Sequence, residues 1–230
     1  MMILALETAT IAGSVAIVDD NKGLIGEVRV DVKVAHSERL MPSIEWLLNA
    51  SGLSMNDIDA FAVSIGPGSF TGLRIGLSTA KGLAFSTGKP LVPVKTLDAF
   101  ARTLVYSSYT VCPMLDARKN EVYAGLYKWE GDLCKNIMPG TAIAPEDLLN
   151  KIKDKGPFLL TGDGTIKYHE LIKKMLKKDA VFAPSYRMSP SASTVAEIAF
   201  ETLAEGDLPD PVSIIPFYIR KSEAEVLWKG

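Results

Sequence analysis

Apolar positions along this chain alternate with polar ones and then switch to helical spacing, and they do so twice. Ile3 to Thr8 and Ser14 to Val18 are apolar runs around a turn at Ala12-Gly13, and Leu24 to Val32 alternates as a third strand, so the chain opens on an antiparallel meander. From Ser37 the period changes. Leu40, Ile44, Leu47 and Leu48 form a stripe at helical spacing, with Pro42 in the first turn or at a kink just after it and Gly52 closing the segment. Ala60 to Ile65 predicts a short strand, Phe70 to Ser86 a helix stopped by Gly88 and Pro90, Leu91 to Val94 a strand and Leu97 to Val105 a helix.

Near Tyr106-Ser107-Ser108 the pattern resets. Val111 to Ala117, Glu121 to Trp129 and Leu133 to Met138 predict a second meander, followed by a helix over Glu146 to Lys153, a strand over Pro157 to Thr161 and a helix over Ile166 to Lys177. The halves align at particular residues. Leu6-Glu7-Thr8-Ala9 matches Leu115-Asp116-Ala117-Arg118, and Gly66-Pro67-Gly68 matches Gly162-Asp163-Gly164, each turn lying after a strand and before a helix. The simplest account is an α/β protein of two lobes, 1–106 and 107–230, built from a duplicated βββαβα unit; chance similarity of generic segments is the alternative. Ser191 to Ala204 is amphipathic and ends at Gly206, and its apolar positions Val195, Ile198, Ala199 and Leu203 need a surface, so this helix is expected to pack back on the N-terminal lobe.

With 230 residues, 47% of them hydrophobic, the chain can bury a large core. A net charge of -2 provides no global basic footprint, so strong unaided binding to nucleic acid is not expected, although a local patch stays open. Two cysteines, Cys112 and Cys134, are too few for a disulfide framework and suit a reducing compartment. Glu7 interrupts the apolar N-terminus too early for a signal peptide, and no apolar run approaches the ~18 residues of a membrane span, so a cytoplasmic protein is expected.

The densest signal for chemistry is Gly66 to Gly76, four glycines and a proline between a strand and a helix. Such a turn lets the backbone approach closely and presents helix N–H groups that could meet an anion. It lacks the Gly-Lys-Ser/Thr ending of a phosphate-binding loop, and there is no Gly-x-Ser-x-Gly elbow to make Ser69 a nucleophile. Glu7, Thr8, Gly66, Gly68, Asp116, Gly162, Asp163 and Gly164 together outline a possible vestigial nucleotide cleft, with polar capping of strand ends as the alternative. His36 and His169 form no local metal motif, and no metal or cofactor is expected. In His36-Ser37-Glu38, Ser37 is expected to cap the helix and Glu38 to sit in its first turn. Three roles are open to Arg74: phosphate binding, an ion pair, or contact with a partner.

Several ordered motifs together resemble the bacterial TsaB (YeaZ) family of tRNA threonylcarbamoyladenosine biosynthesis proteins. They are Ile3-Leu4-Ala5-Leu6-Glu7-Thr8-Ala9, His36-Ser37-Glu38-Arg39-Leu40-Met41-Pro42, Gly66 to Gly76, Lys81-Gly82-Leu83-Ala84, Leu115-Asp116-Ala117-Arg118, Gly162-Asp163-Gly164 and Pro216-Phe217-Tyr218-Ile219-Arg220. The resemblance covers nearly the whole chain and implies the actin-like/sugar-kinase (ASKHA) superfold. It also implies a non-catalytic relative of TsaD, the threonylcarbamoyl transferase subunit, because the two histidines that ligate metal in TsaD-like chains correspond to Thr96 and Phe100 here. The partners so implied are TsaD as a heterodimer, TsaE through it, a homodimer when TsaD is absent, and tRNA only indirectly. The expected docking surface is the pair of helices beginning near His36 and Phe70, through His36, Glu38, Leu40, Met41, Ile44, Phe70, Leu73, Arg74, Leu77 and Lys81. The competing readings are a metal-dependent glycoprotease-like hydrolase, an ATP-binding small-molecule kinase and an independent RNA-binding module, the last opposed by the net acidity of the chain.

Overall fold

The computed structural model describes residues 1–32, 34–206 and 208–220. Its elements run β1 (Met2–Glu7), β2 (Gly13–Asp19), β3 (Gly23–Val30), α1 (His36–Ser51), β4 (Ala60–Gly66), α2 (Phe70–Thr87), β5 (Leu91–Lys95) and α3 (Thr96–Arg102). They continue as β6 (Thr110–Arg118), β7 (Glu121–Glu130), β8 (Leu133–Ile143), α4 (Pro145–Ile152), β9 (Phe158–Thr161), α5 (Asp163–Lys167), α6 (His169–Leu176), β10 (Ala180–Phe182) and α7 (Ala192–Glu205). Two compact units result, Met1–Ala99 with Pro190–Phe217, and Phe100–Ser189 with residues 218–220.

In the first unit β1 is the centre of a five-stranded sheet, pairing antiparallel with β2 and parallel with β4 in the order β3-β2-β1-β4-β5. A central strand covered on both faces must be apolar on both, and β1 is buried from Ile3 to Glu7. Leu4, Leu6, Val15, Ile17, Phe61 and Val63 pack with Leu40, Ile44 and Leu47 of α1 and Leu77, Ala80 and Ala84 of α2. On the opposite face Ile3, Ala5, Ala16, Ala60 and Ala62 meet Ala192, Val195, Ala196 and Ala199 of α7. Alanine on both sides lets this helix lie close to the sheet, the spacing being set by side-chain size at the contact.

The second unit repeats the plan with the order β10-β9-β6-β7-β8, two antiparallel pairings on one side of β6 and two parallel pairings on the other. Its core gathers Met114, Val122, Leu126, Leu148, Leu149, Phe158, Leu160, Ile172 and Leu176 around Cys112. Burial pushes the Cys112 thiol up to about 12, so it packs as a small hydrophobe.

Two local expectations need correction, and one short strand goes unpredicted. Ser37 does not cap α1: the cap position is Ala35, and His36 already lies in the helix. A tertiary contact fixes that start, because His36 Nε2 reaches the Thr10 carbonyl at 2.8 Å while Arg39 donates to the carbonyls of Val30 and Ile11. The single helix predicted over Ile166 to Lys177 is two, α5 beginning at Asp163 and α6 at His169, broken at Tyr168 with φ -108° and ψ 21°. The short strand β10, only three half-buried residues long, carries too little pattern to be predicted.

Candidate functional site

The glycine turn is filled by the chain's own backbone. Ser69 N donates to Ala9 O at 2.7 Å, and Thr8 Oγ1 donates to Gly72 O at 2.9 Å, so the start of α2 is bonded onto the β1–β2 turn. A Cβ at Gly68 would sit 2.5 Å from Ala9 O, at Gly72 2.1 Å from Thr8 O, and at Gly76 2.2 Å from Thr8 Oγ1. Gly72 and Gly76, four apart, form one seam of α2 that Gly68 extends just before the helix starts, and any side chain along it would lift the helix from the strand. Gly66, at φ 123°, meets the carbonyl of Phe217, whose N–H donates to Ile65 O at 2.7 Å. Gly72→Ala should therefore lower stability by about 1–3 kcal/mol through overpacking against a backbone that cannot rotate away. Chemical denaturation would measure this, and an unchanged midpoint would contradict the seam.

Glu7, at the end of β1, is fully buried. Its Oε1 accepts the Ala9 N–H at 2.6 Å, whereas Oε2 has no hydrogen-bond partner among the described residues. Burial raises its pKa to about 7, with the nearby Ser64 hydroxyl, the Ala9 N–H and the Arg29 charge offsetting part of the rise. Arg29 pairs at 3.3 Å with Glu27. The Glu27 carboxylate in turn accepts from Ser191 Oγ at 2.6 Å, Ala192 N at 3.1 Å and Ser193 Oγ at 3.2 Å, so a strand residue caps the N-terminus of α7. Sequence reasoning missed Glu27 and Arg39, because their partners lie far away along the chain.

The residues expected to form the docking surface divide in two. Leu40, Ile44, Leu73 and Leu77 are at most 5% exposed and belong to the core, so direct contact with a partner is corrected for all four. Glu38, Met41 and Arg74 are exposed; His36, Phe70 and Lys81 are half-buried. Lys81 Nζ donates to Val212 O at 2.8 Å, which ties α2 to the chain after α7. Partial burial and the Arg39 charge lower the pKa of His36. With Nε2 against a carbonyl and Nδ1 3.1 Å from Arg39 Nη2, the neutral ring protonated at Nε2 satisfies both contacts. Trp46 on α1 is 61% exposed and Phe85 on α2 is 88% exposed, and neither had been singled out by spacing.

In the second unit the matching turn is also filled from within. A Cβ at Gly162, φ 109°, would lie 2.1 Å from Met114 O, and one at Gly164 2.9 Å from the same atom. Asp163 Oδ1 accepts Asp116 N at 2.9 Å, while Asp116 Oδ1 accepts Arg118 N at 3.1 Å and Lys167 Nζ at 3.0 Å. Both aspartates are thus engaged in fixing the strand end. At the two positions compared with metal ligands, Thr96 is buried with its Oγ1 accepting Gly66 N at 3.1 Å, and Phe100 is buried in the core. Among the described residues no cluster of three or more His, Cys, Asp or Glu could hold a metal ion, and no helix is long and apolar enough to cross a membrane.

Two β-sheet units of identical strand order, each with a glycine turn after its fourth strand, define the actin-like/sugar-kinase class of α/β proteins. In fold alone the chain resembles Lmo2764, a candidate N-acetylmannosamine kinase from Listeria monocytogenes, with a TM-score of 0.51 at 12% identity over 90% of this chain and 100% of that one. YeaZ from Pseudomonas aeruginosa superposes with a TM-score of 0.78 at 27% identity, covering 94% of this chain and 99% of its own. Residues 20–228 match the family described as TsaD, tRNA N6-adenosine threonylcarbamoyltransferase. The tRNA threonylcarbamoyladenosine biosynthesis protein TsaB of Bacillus subtilis is 31% identical across 99% of this chain and 98% of its own length. The Escherichia coli protein of the same name is also 31% identical, across 100% and 97%. The chain belongs to the TsaB (YeaZ) family.

Proposed function

We propose that this chain is a non-catalytic, activating subunit of the cytoplasmic machinery that makes threonylcarbamoyladenosine next to the tRNA anticodon. On this reading it binds a TsaD-type transferase as a heterodimer, meets the ATPase TsaE through it, and self-associates when TsaD is absent. What supports the reading most is that the turns and strand ends where a catalytic relative would hold a ligand are taken up by this chain's own groups. Thr8 and Ala9 fill the first glycine turn, Met114 lies against the second, and Thr96 serves a backbone N–H. Glu7 and Thr8 have no exposed surface, so the vestigial-cleft role is withdrawn for them.

The docking role moves from the leucines of α1 and α2 to the side chains these helices leave in solvent, with Trp46, Met41 and Phe85 as anchors flanked by Glu38 and Arg74. Large apolar groups held at such exposure on rigid helices are the usual anchors of an interface. The paired substitution Trp46→Asp and Phe85→Asp should weaken binding to TsaD by about 10- to 100-fold with an unchanged melting temperature. Titration calorimetry with purified TsaD tests it. Wild-type-like affinity would move the interface elsewhere, and failure of the wild-type chain to bind TsaD at all would remove the proposed role.

A further inference from the structure

The second unit concentrates positive charge at one end. Lys151, Lys153 and Lys155 follow one another at the end of α4, and Lys173, Lys174, Lys177 and Lys178 at the end of α6. Together with Asp154 and Asp179 these two short segments carry a net charge of +5, in a chain whose total is -2. Far apart in sequence, they are neighbours in the fold. The helices α4 and α6 pack on each other, β9 and β10 pair in parallel with Phe158 opposite Ala180, and a Cβ at Gly156 would lie 2.7 Å from Cβ of Asp179. The lysine turns therefore enter adjacent strands side by side, within the roughly 10 Å over which charges act together at 0.1 M salt.

All seven lysines are exposed, and none of their ammonium groups makes an ion pair or hydrogen bond among the described residues. Like charges so gathered repel and oppose the compact state. One of them also sits on unfavourable backbone: Lys177 has φ 53° and ψ -121°, a conformation that glycine adopts with far less strain. Lysine there keeps a charge where glycine would relieve the backbone.

We propose that this lysine face binds the phosphate backbone of tRNA directly, in place of the purely indirect contact that the family resemblance implies, so that the chain contributes its own electrostatic contact to the assembly. The inference rests on the proposed role in tRNA modification. Lysines are mobile point charges suited to phosphates and carry no base readout, so the contact positions RNA without choosing sequence. A lipid surface fits less well. The apolar residues of the two segments, Ile152 and Leu176, are buried, and Met175 is half-buried, so no exposed apolar group is present to enter a bilayer.

The test uses the full-length chain, an unmodified tRNA transcript and fluorescence anisotropy over a series from about 50 to about 200 mM salt, a range in which phosphate contacts respond strongly. Replacing Lys153, Lys155, Lys177 and Lys178 together by glutamine should lower affinity at least about tenfold and reduce the salt slope by about 3, whereas replacing all four by arginine should preserve both. Unchanged affinity and slope in a folded glutamine variant would overturn the proposal, as would salt-sensitive binding to phosphatidylserine vesicles without binding to tRNA. In cells lacking the endogenous relative, nucleoside mass spectrometry separates the two claims. Restored threonylcarbamoyladenosine with a glutamine variant that binds tRNA normally defeats the lysine face and leaves the role intact; no restoration by the wild-type chain defeats the role.

Discussion

Replacing Leu73 by aspartate is expected to unfold the protein, with a loss of more than about 4 kcal/mol. The side chain has no exposed surface and points from α2 into the first unit, so the substitution removes its packing and leaves a carboxylate without water or a partner. Such a loss takes most of the stability of a domain at the lower end of the usual range of roughly 5–15 kcal/mol. Phe85→Asp, on the same helix but 88% exposed, should change stability by no more than about 0.5 kcal/mol. Circular dichroism melts of the two variants give the comparison. If Leu73→Asp stays folded and loses only partner binding, α2 is turned with Leu73 outward and the packing described above is wrong.

The second large effect is a gain. Glu7→Gln should stabilise the protein at pH 8 by about 3 kcal/mol while changing it little at pH 4. The sign follows from a carboxyl whose pKa rises from 4.5 in the unfolded chain to about 7 in the fold. Below the lower value both states hold the proton and burial is tolerated. As pH climbs between the two values the unfolded state loses its proton while the folded state keeps it, so stability falls; above about pH 7 the full loss has been taken. Glutamine keeps the shape and the acceptor for Ala9 N–H, and its amide can donate to the Ser64 oxygen, which has no hydrogen-bond partner among the described residues. Urea denaturation of both proteins from pH 4 to pH 8 should yield curves that diverge across that window. Parallel curves would mean that Glu7 is solvated in the folded state.

Much of the fold is legible because its signals are local. The alternation in Leu24 to Val32, the helical stripe Leu40, Ile44, Leu47, Leu48 and the stops at Gly52, Gly88 and Gly206 depend only on neighbours, and all three glycines adopt the left-handed cap. The candidate site was less legible. Spacing marks Leu73 and Leu77 as apolar but cannot say whether such a stripe meets its own sheet or another protein; both outcomes need the same residues. The Ser37 cap failed for a related reason. A capping preference is worth about 1 kcal/mol, and three bonds from His36 and Arg39 to carbonyls of the β1–β2 turn and of β3 outweigh it.

By itself the sequence determined the two repeated sheets, the helices between them and the presence of glycine turns where each fourth strand ends, since periodicity and turn chemistry are written in consecutive residues. Only the tertiary structure decided what those turns are for and where charge collects. The partners of Gly68 and Gly72 are Ala9 and Thr8, some sixty residues away, and the two lysine turns meet through the pairing of β9 with β10. Contacts of that kind depend on how elements pack in space, which local pattern does not encode.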